Sequence, residues 1–167
     1  MNPPRYILDA NVFIRAHREY YSFDFAPMFW ETLAEYAARR LIGTIDKVRA
    51  ELEPEGDRLW TWFKTDFASA VYSTNDPQVA AAYGEVVRWV AEQKQFFDYA
   101  KHEFAREPDA WLIAFAIAKG CTVVTLEKRE SQAKRRVPIP NVCEAFGVRY
   151  IDTFQLLREL QIRWELP

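Results

Sequence analysis

At 167 residues the chain is most simply one domain, long enough to bury a substantial core. Half of its residues are hydrophobic, 16% are aromatic and 28% are charged, a profile that excludes a disordered chain and describes a compact soluble protein. A formal net charge of −2 excludes a surface coated in positive charge but leaves room for a local basic patch facing a polyanion.

No apolar stretch approaches membrane-spanning length, and the N-terminus lacks the basic-then-apolar layout of a secretion signal. A cytoplasmic location with no membrane partner is therefore expected. Cys121 and Cys143 lie 22 residues apart without a nearby histidine pair, so reduced, packed thiols are expected rather than a zinc site or a disulfide.

Taken in chain order, Tyr6-Ile7-Leu8 follows Pro3 and Pro4 and reads as a short buried strand. Asp9 falls at its carboxyl end, where open α/β sheets bind ligands, and Asn11 follows two residues later. The plain reading is that Asp9 or Asn11 caps the next helix, expected over Val12 to Arg18. A loop over Glu19 to Ala26 leads to a helix opened by Pro27, with Trp30, Leu33, Ala34, Ala37 and Leu41 at helical spacing. Gly43-Thr44-Ile45 is expected as a second short strand, and Asp46 to Glu53 as the start of a helix that carries Glu51.

The segment from about residue 56 to 103 carries no strand signal and reads as a helical insertion. Within it, Val79, Tyr83, Val86, Val87, Val90 and Phe97 share one face of a helix opened by Asp76-Pro77. Trp89 and Phe96 lie to one side of that stripe, where they could line a second contact surface; together with Trp60, Trp62, Phe63 and Phe67 they are expected to fill the core rather than to form a nucleobase-stacking platform. Glu107-Pro108-Asp109 opens a buried helix that stops at Lys119-Gly120, and the β-branched run Cys121 to Thr125 is the clearest strand in the chain. A polar loop follows in which five of the nine residues from Lys128 to Arg136 are positive. A short helix (Asn141 to Phe146), a strand (Val148 to Ile151) and a helix (Thr153 to Leu160) complete the chain.

Four carboxylates stand out by position: Asp9, Glu51, Asp109 and Glu127. Each has an ordinary explanation, as a cap, a solvated helix residue, a first-turn acid or a loop residue. In order, however, Ile7-Leu8-Asp9-Ala10-Asn11-Val12, Val48-x-x-Glu51-Leu52, Asp109-Ala110-Trp111-Leu112-Ile113-Ala114 and Val123-Val124-Thr125-x-Glu127 resemble the PIN domain, a family of metal-dependent ribonucleases that includes the toxins of VapBC-type toxin–antitoxin pairs. Pro27-Met28-Phe29-Trp30 and Ile139-Pro140-Asn141-Val142-Cys143 look closest to a PIN-like subgroup known only as a domain of unknown function. Many PIN members carry Asp where this chain has Glu127, with Glu130 as an alternative nearby.

The resemblance implies a three-layer α/β/α fold with a central parallel sheet, a single domain over residues 1–167 and acids gathered at one sheet edge. It implies an endoribonuclease that uses Mg²⁺ or Mn²⁺, with Asp9, Asp109 and Glu127 as metal ligands, Glu51 completing the catalytic set, and Asn11 and Glu130 in support. Such ions prefer hard oxygen ligands and activate water for phosphodiester hydrolysis. The basic residues Arg15, Arg18, Lys128, Arg129, Lys134 and Arg136 are the candidate RNA contacts, although a charge run of this kind is often just a solvated loop. The expected partners are RNA, an antitoxin and a second copy of the chain. An inactive PIN-like module binding protein or RNA, and a metal-dependent nuclease acting on DNA, remain as alternatives.

Overall fold

The computed structural model describes residues 1–165; positions 166–167 of the expected single domain lie outside the described residues. Five parallel strands, β1 (Tyr6–Leu8), β2 (Ile42–Ile45), β3 (Val71–Tyr72), β4 (Thr122–Val124) and β5 (Tyr150–Ile151), form one sheet in the order β3-β2-β1-β4-β5. Helices α1 (Ala10–Arg15), α2 (Pro27–Ala38), α3 (Asp46–Leu52), α4 (Arg58–Trp62), α5 (Pro77–Glu92), α6 (Asp98–Arg106), α7 (Pro108–Lys119), α8 (Ile139–Ala145) and α9 (Thr153–Glu159) connect and flank it. Parallel strands covered on both faces must be apolar throughout, and β1 and β2 are buried at every residue. The α/β fold with a parallel sheet is therefore as expected.

β1 sits in the middle of the sheet. The chain leaves it toward β2 on one side and returns to β4 on the other, so the sheet's order reverses at the junction of β1 and β4. Connections diverge at such a switch point and leave a crevice beyond the strands' carboxyl ends. The ladder runs past β1: the Asp9 amide donates to the Val124 carbonyl at 3.0 Å, and the Thr125 amide to the Ile151 carbonyl at 2.9 Å. Asp9 and Thr125 are thereby fixed at the rim of the crevice.

α7 is apolar around most of its surface because it packs on β2 and β4 and against α3, α5, α6 and α8. It ends at Gly120, whose φ of 71° places it in the left-handed region that stops a helix and favours glycine. The aromatic residues of the supposed insertion do fill the core. Phe63 and Phe67 are fully buried and meet the Phe13 ring edge-on at 5.5 and 5.1 Å, while Trp62 packs on Trp30 at 4.8 Å.

Several expectations need correction. The insertion is not purely helical, because Val71 and Tyr72 add the edge strand β3 to β2. α5 stops at Glu92 and a separate α6 begins at Asp98, so Phe97 does not continue the apolar stripe and is exposed. α1 starts at Ala10 and passes into a π-helical turn over Ala16–Tyr20, occupying the start of the expected loop. Phe96 is buried rather than part of a contact surface, and Trp89 packs on Phe146 at 6.1 Å. Cys121 and Cys143 are free and buried, and burial pushes their thiols up to about 11 and about 12. Among the described residues no helix is long and apolar enough to cross a membrane.

Candidate active site

The crevice at the switch point holds a cavity of about 350 Å³ lined by Asp9, Asn11, Glu51, Glu103, Glu107, Asp109, Glu127 and Arg136, with apolar walls from α6. Five segments deliver its carboxylates: the end of β1, the last turn of α3, α6, the start of α7 and the loop after β4. Asp9, Glu51, Asp109, Glu127 and Asn11 are thus brought together.

Asp9 precedes α1, yet its side chain makes no capping hydrogen bond to it. Its carboxylate instead accepts the Thr125 hydroxyl at 3.1 Å, and the residue is 2% exposed. Burial raises the Asp9 pKa well above the carboxylate range, with Glu127 and Glu51 adding to the effect and Thr125 opposing it. Asp109 is raised for the same reasons, first by burial and then by Asp9, Glu127, Glu51 and Glu107. Glu51 keeps much of its surface in water, but partial burial of its carboxyl and the nearby Glu107 raise it too. Three carboxyls that share a site and are all shifted toward the protonated form are the mark of negative charge with too little counter-charge.

Glu127 differs. One of its oxygens pairs with the Arg136 guanidinium, and the other accepts the Ile139 amide, the first of α8, at 2.8 Å. Its own amide donates to the Thr125 hydroxyl oxygen at 3.2 Å. Among the described residues, Arg136 is the one cation lining this cavity.

The other expected residues are placed less centrally. Glu130 lies outside the cavity, and the Asn141 side chain holds its backbone, accepting its amide at 3.0 Å and donating to its carbonyl at 2.8 Å. Arg15 pairs with Glu19 at 3.0 Å and Arg129 with Glu144 at 2.6 Å, while Lys128 and Lys134 are exposed. Arg18 is exposed on the π-helical turn. The loop therefore offers a mixed face rather than a continuous basic rim. Sequence reading missed Thr125, Glu103 and Glu107. Thr125 ends the strand run and was legible as a strand residue only, whereas Glu103 and Glu107 stand four apart, a spacing that puts both on one side of a helical turn.

The donor set suits a hard divalent cation, since it is made entirely of oxygens and, among the described residues, Asp9 and Asp109 have no cationic partner. The side chains do not close around a single point as they stand: among the described residues no three His, Cys, Asp or Glu groups are gathered tightly enough to hold an ion. Glu127 would have to exchange Arg136 for the ion.

A family profile described as "Domain of unknown function (DUF4411)" matches residues 6–164. Among solved structures, the chain is similar to one in the crystal structure of VapBC2 from Rickettsia felis bound to a DNA fragment from their promoter. That alignment has 18% identity, covers 88% of this chain and 97% of the other, and has a TM-score of 0.51, which establishes likeness of fold. No curated protein matches the chain.

Proposed function

The chain belongs to the DUF4411 family, and for this member we propose a metal-dependent endoribonuclease that hydrolyses RNA phosphodiester bonds and serves as the toxin of a toxin–antitoxin pair. The observation that carries the reading is the placement of Asp9 and Asp109 in one cavity, both driven toward the protonated form by burial and by neighbouring carboxylates. Such a cluster is costly unless a cation neutralises it. The VapBC2 likeness supports the toxin part, because that fold is shared over nearly the whole length of both chains.

Asp9 and Asp109 would hold Mg²⁺ or Mn²⁺, with Glu127 and Glu51 completing or orienting the shell and Asn11 positioning bound water. The ion would supply a water activated near neutral pH and neutralise charge on the phosphate. The remaining work falls to the chain itself. Thr125 keeps the Asp9 carboxylate turned into the cavity and biases it toward the ionised form that binds cations. The end of β1 holds Asp9, and the helices α3 and α7 hold Glu51 and Asp109, on regular elements, so little ordering is left for the moment of binding. Arg136, once Glu127 turns to the ion, is free to meet a phosphate oxygen with a planar fork suited to that contact.

Incubation of the purified chain with RNA and Mn²⁺ tests the proposal. Cleavage that is internal, abolished by EDTA, lost in Asp109→Asn and absent on a single-stranded DNA of the same sequence is the expected result. Intact RNA under all metal conditions would leave a binding module, and cleavage of the DNA alone would make the enzyme a deoxyribonuclease.

A further inference from the structure

Beside the carboxylate cavity lies a second cleft of about 630 Å³, within the range of small-ligand sites (~300–1,000 Å³), formed where β4 and β5 end. Glu127 lines both, so the two lie on either side of one side chain. Tyr20, from the π-helical turn after α1, and Phe154, from the first turn of α9, line it side by side. Their rings meet edge to face, with centroids 5.7 Å apart and planes at 83°. Each is more than a third exposed, at 38% and 37%, and neither belongs to the hydrophobic core. Burial therefore does not explain two large aromatics at this spot.

The pair is held in place. Arg15 donates to the Tyr20 hydroxyl at 2.7 Å, its guanidinium lies 5.3 Å from the ring centroid, and Glu19 accepts from Arg15 at 3.0 Å. An edge-to-face contact covers a face of one ring only, so the contact itself leaves ring faces free to stack on a third flat group. Cations surround the opening: Arg15, Lys128 and Arg129 all line it. Lys128 is exposed and makes no ion pair among the described residues, whereas Arg129 is held by Glu144. The acids in the wall are engaged elsewhere, Asp152 in accepting the Gln155 amide at 2.8 Å to cap α9 and Glu127 in binding Arg136 and Ile139.

We propose that this cleft is a nucleobase subsite for the single-stranded RNA nucleotide next to the scissile phosphate, with Phe154 and Tyr20 as its stacking platform and Lys128 on the adjoining phosphate. The assignment rests on the ribonuclease reading and extends it from the reacting atoms to the flanking base. Aromatic stacking accepts any base face, so the subsite favours unpaired RNA over duplex without dictating sequence.

The test measures fluorescence anisotropy of a labelled oligouridylate, and of its abasic counterpart, with the full-length chain in an Asp109→Asn background that leaves the RNA intact. Phe154→Ala and Tyr20→Ala, in separate variants, are expected to weaken oligouridylate binding about ten-fold and to leave abasic binding unchanged. Phe154→Trp is expected to restore affinity. Both aromatics are exposed, and an unchanged melting temperature verifies that each variant folds. If the wild type cuts RNA yet Phe154→Ala and Tyr20→Ala bind both probes as well as the parent does, the subsite fails and the nuclease reading stands. If the wild type neither binds nor cuts RNA, both fail together. Loss of binding to a protein encoded beside the chain, with RNA affinity unaltered, would make the cleft a protein-docking surface and overturn the proposal.

Discussion

The Thr125 hydroxyl donates to the Asp9 carboxylate at 3.1 Å, tying the carboxyl end of β4 to that of β1 where the sheet's order reverses. It opposes the burial of Asp9, as the Asn11 backbone does more weakly, because a hydrogen bond to the charged form favours ionisation. Thr125→Val keeps the shape and removes the donor. The Asp9 pKa should rise further, and the alkaline-rising limb of the RNA-cleavage pH profile should move up by about one pH unit, since a hydrogen bond to a charged group is worth ~1.5–3 kcal/mol before relaxation. A limb that stays in place would show that Asp9 does not set it.

Metal-free stability should depend on pH with a definite sign. Asp9 and Asp109 are pushed up to about 7 and about 8, above their unfolded values near 3.8, so the folded state holds protons that the unfolded state has released. Their stabilising contribution is complete below about pH 4 and is lost as pH rises through the folded values. In EDTA, the melting temperature should therefore fall between pH 5 and pH 8 more steeply for the wild type than for Asp9→Asn. At pH 8 Asp9→Asn should be the more stable of the two, because two carboxylates ~5 Å apart repel by roughly 3 kcal/mol at an effective dielectric near 20. Saturating Mn²⁺ should reverse that order by binding the wild type alone. Calorimetry at the two pH values, with and without Mn²⁺, measures all of this.

The Arg136–Glu127 pair makes a separate prediction. Arg136 is half exposed while the Glu127 side chain is 12% exposed, so the guanidinium serves as counter-charge for a largely buried carboxylate. Arg136→Ala should leave Glu127 available to an ion and remove a repelling charge, tightening Mn²⁺ binding several-fold by titration calorimetry. RNA affinity should move the other way. A variant that binds Mn²⁺ less tightly would mean that Arg136 organises the cavity rather than competing for it.

How much of this was legible in the sequence depends on what each feature needs from distant chain. β1 and β4 are apolar and β-branched runs, and the fold places an acid just after each, so Asp9 and Glu127 could be located from local pattern alone. The gathering of those acids with Glu51 and Asp109 came from the ordered resemblance, since no spacing rule joins residues 18 to 118 positions apart. Arg136's grip on Glu127 was not legible, because the loop that carries it reads only as a charge run and its pairing depends on where α8 begins. The aromatic pair at the second cleft was missed for the same reason: Tyr20 lies in a segment read as loop, Phe154 in a helix read without regard to its face, and they meet only in three dimensions. β3 was missed because two residues carry no periodicity, and Val71-Tyr72 becomes a strand only by pairing with β2.

Gly43, in β2, records that pairing and supplies the last test. A β-carbon built there would stand 2.6 Å from the Tyr72 ring and 2.8 Å from the Ala70 carbonyl oxygen. The ring could turn aside, but the carbonyl belongs to the backbone entering β3, and it can move only if the edge strand separates from β2. Glycine inside a strand commonly marks such a close approach of another chain segment. Gly43→Ala should destabilise the protein by about 1–3 kcal/mol, the range for overpacking a tight interior, despite the general preference of strands for alanine over glycine. Hydrogen exchange should show the loss concentrated at Val71 and Tyr72, with the β1–β4 ladder and its Asp9 and Thr125 amides still protected. Equal loosening across both regions would mean that β3 supports the carboxylate crevice as well as the sheet's edge.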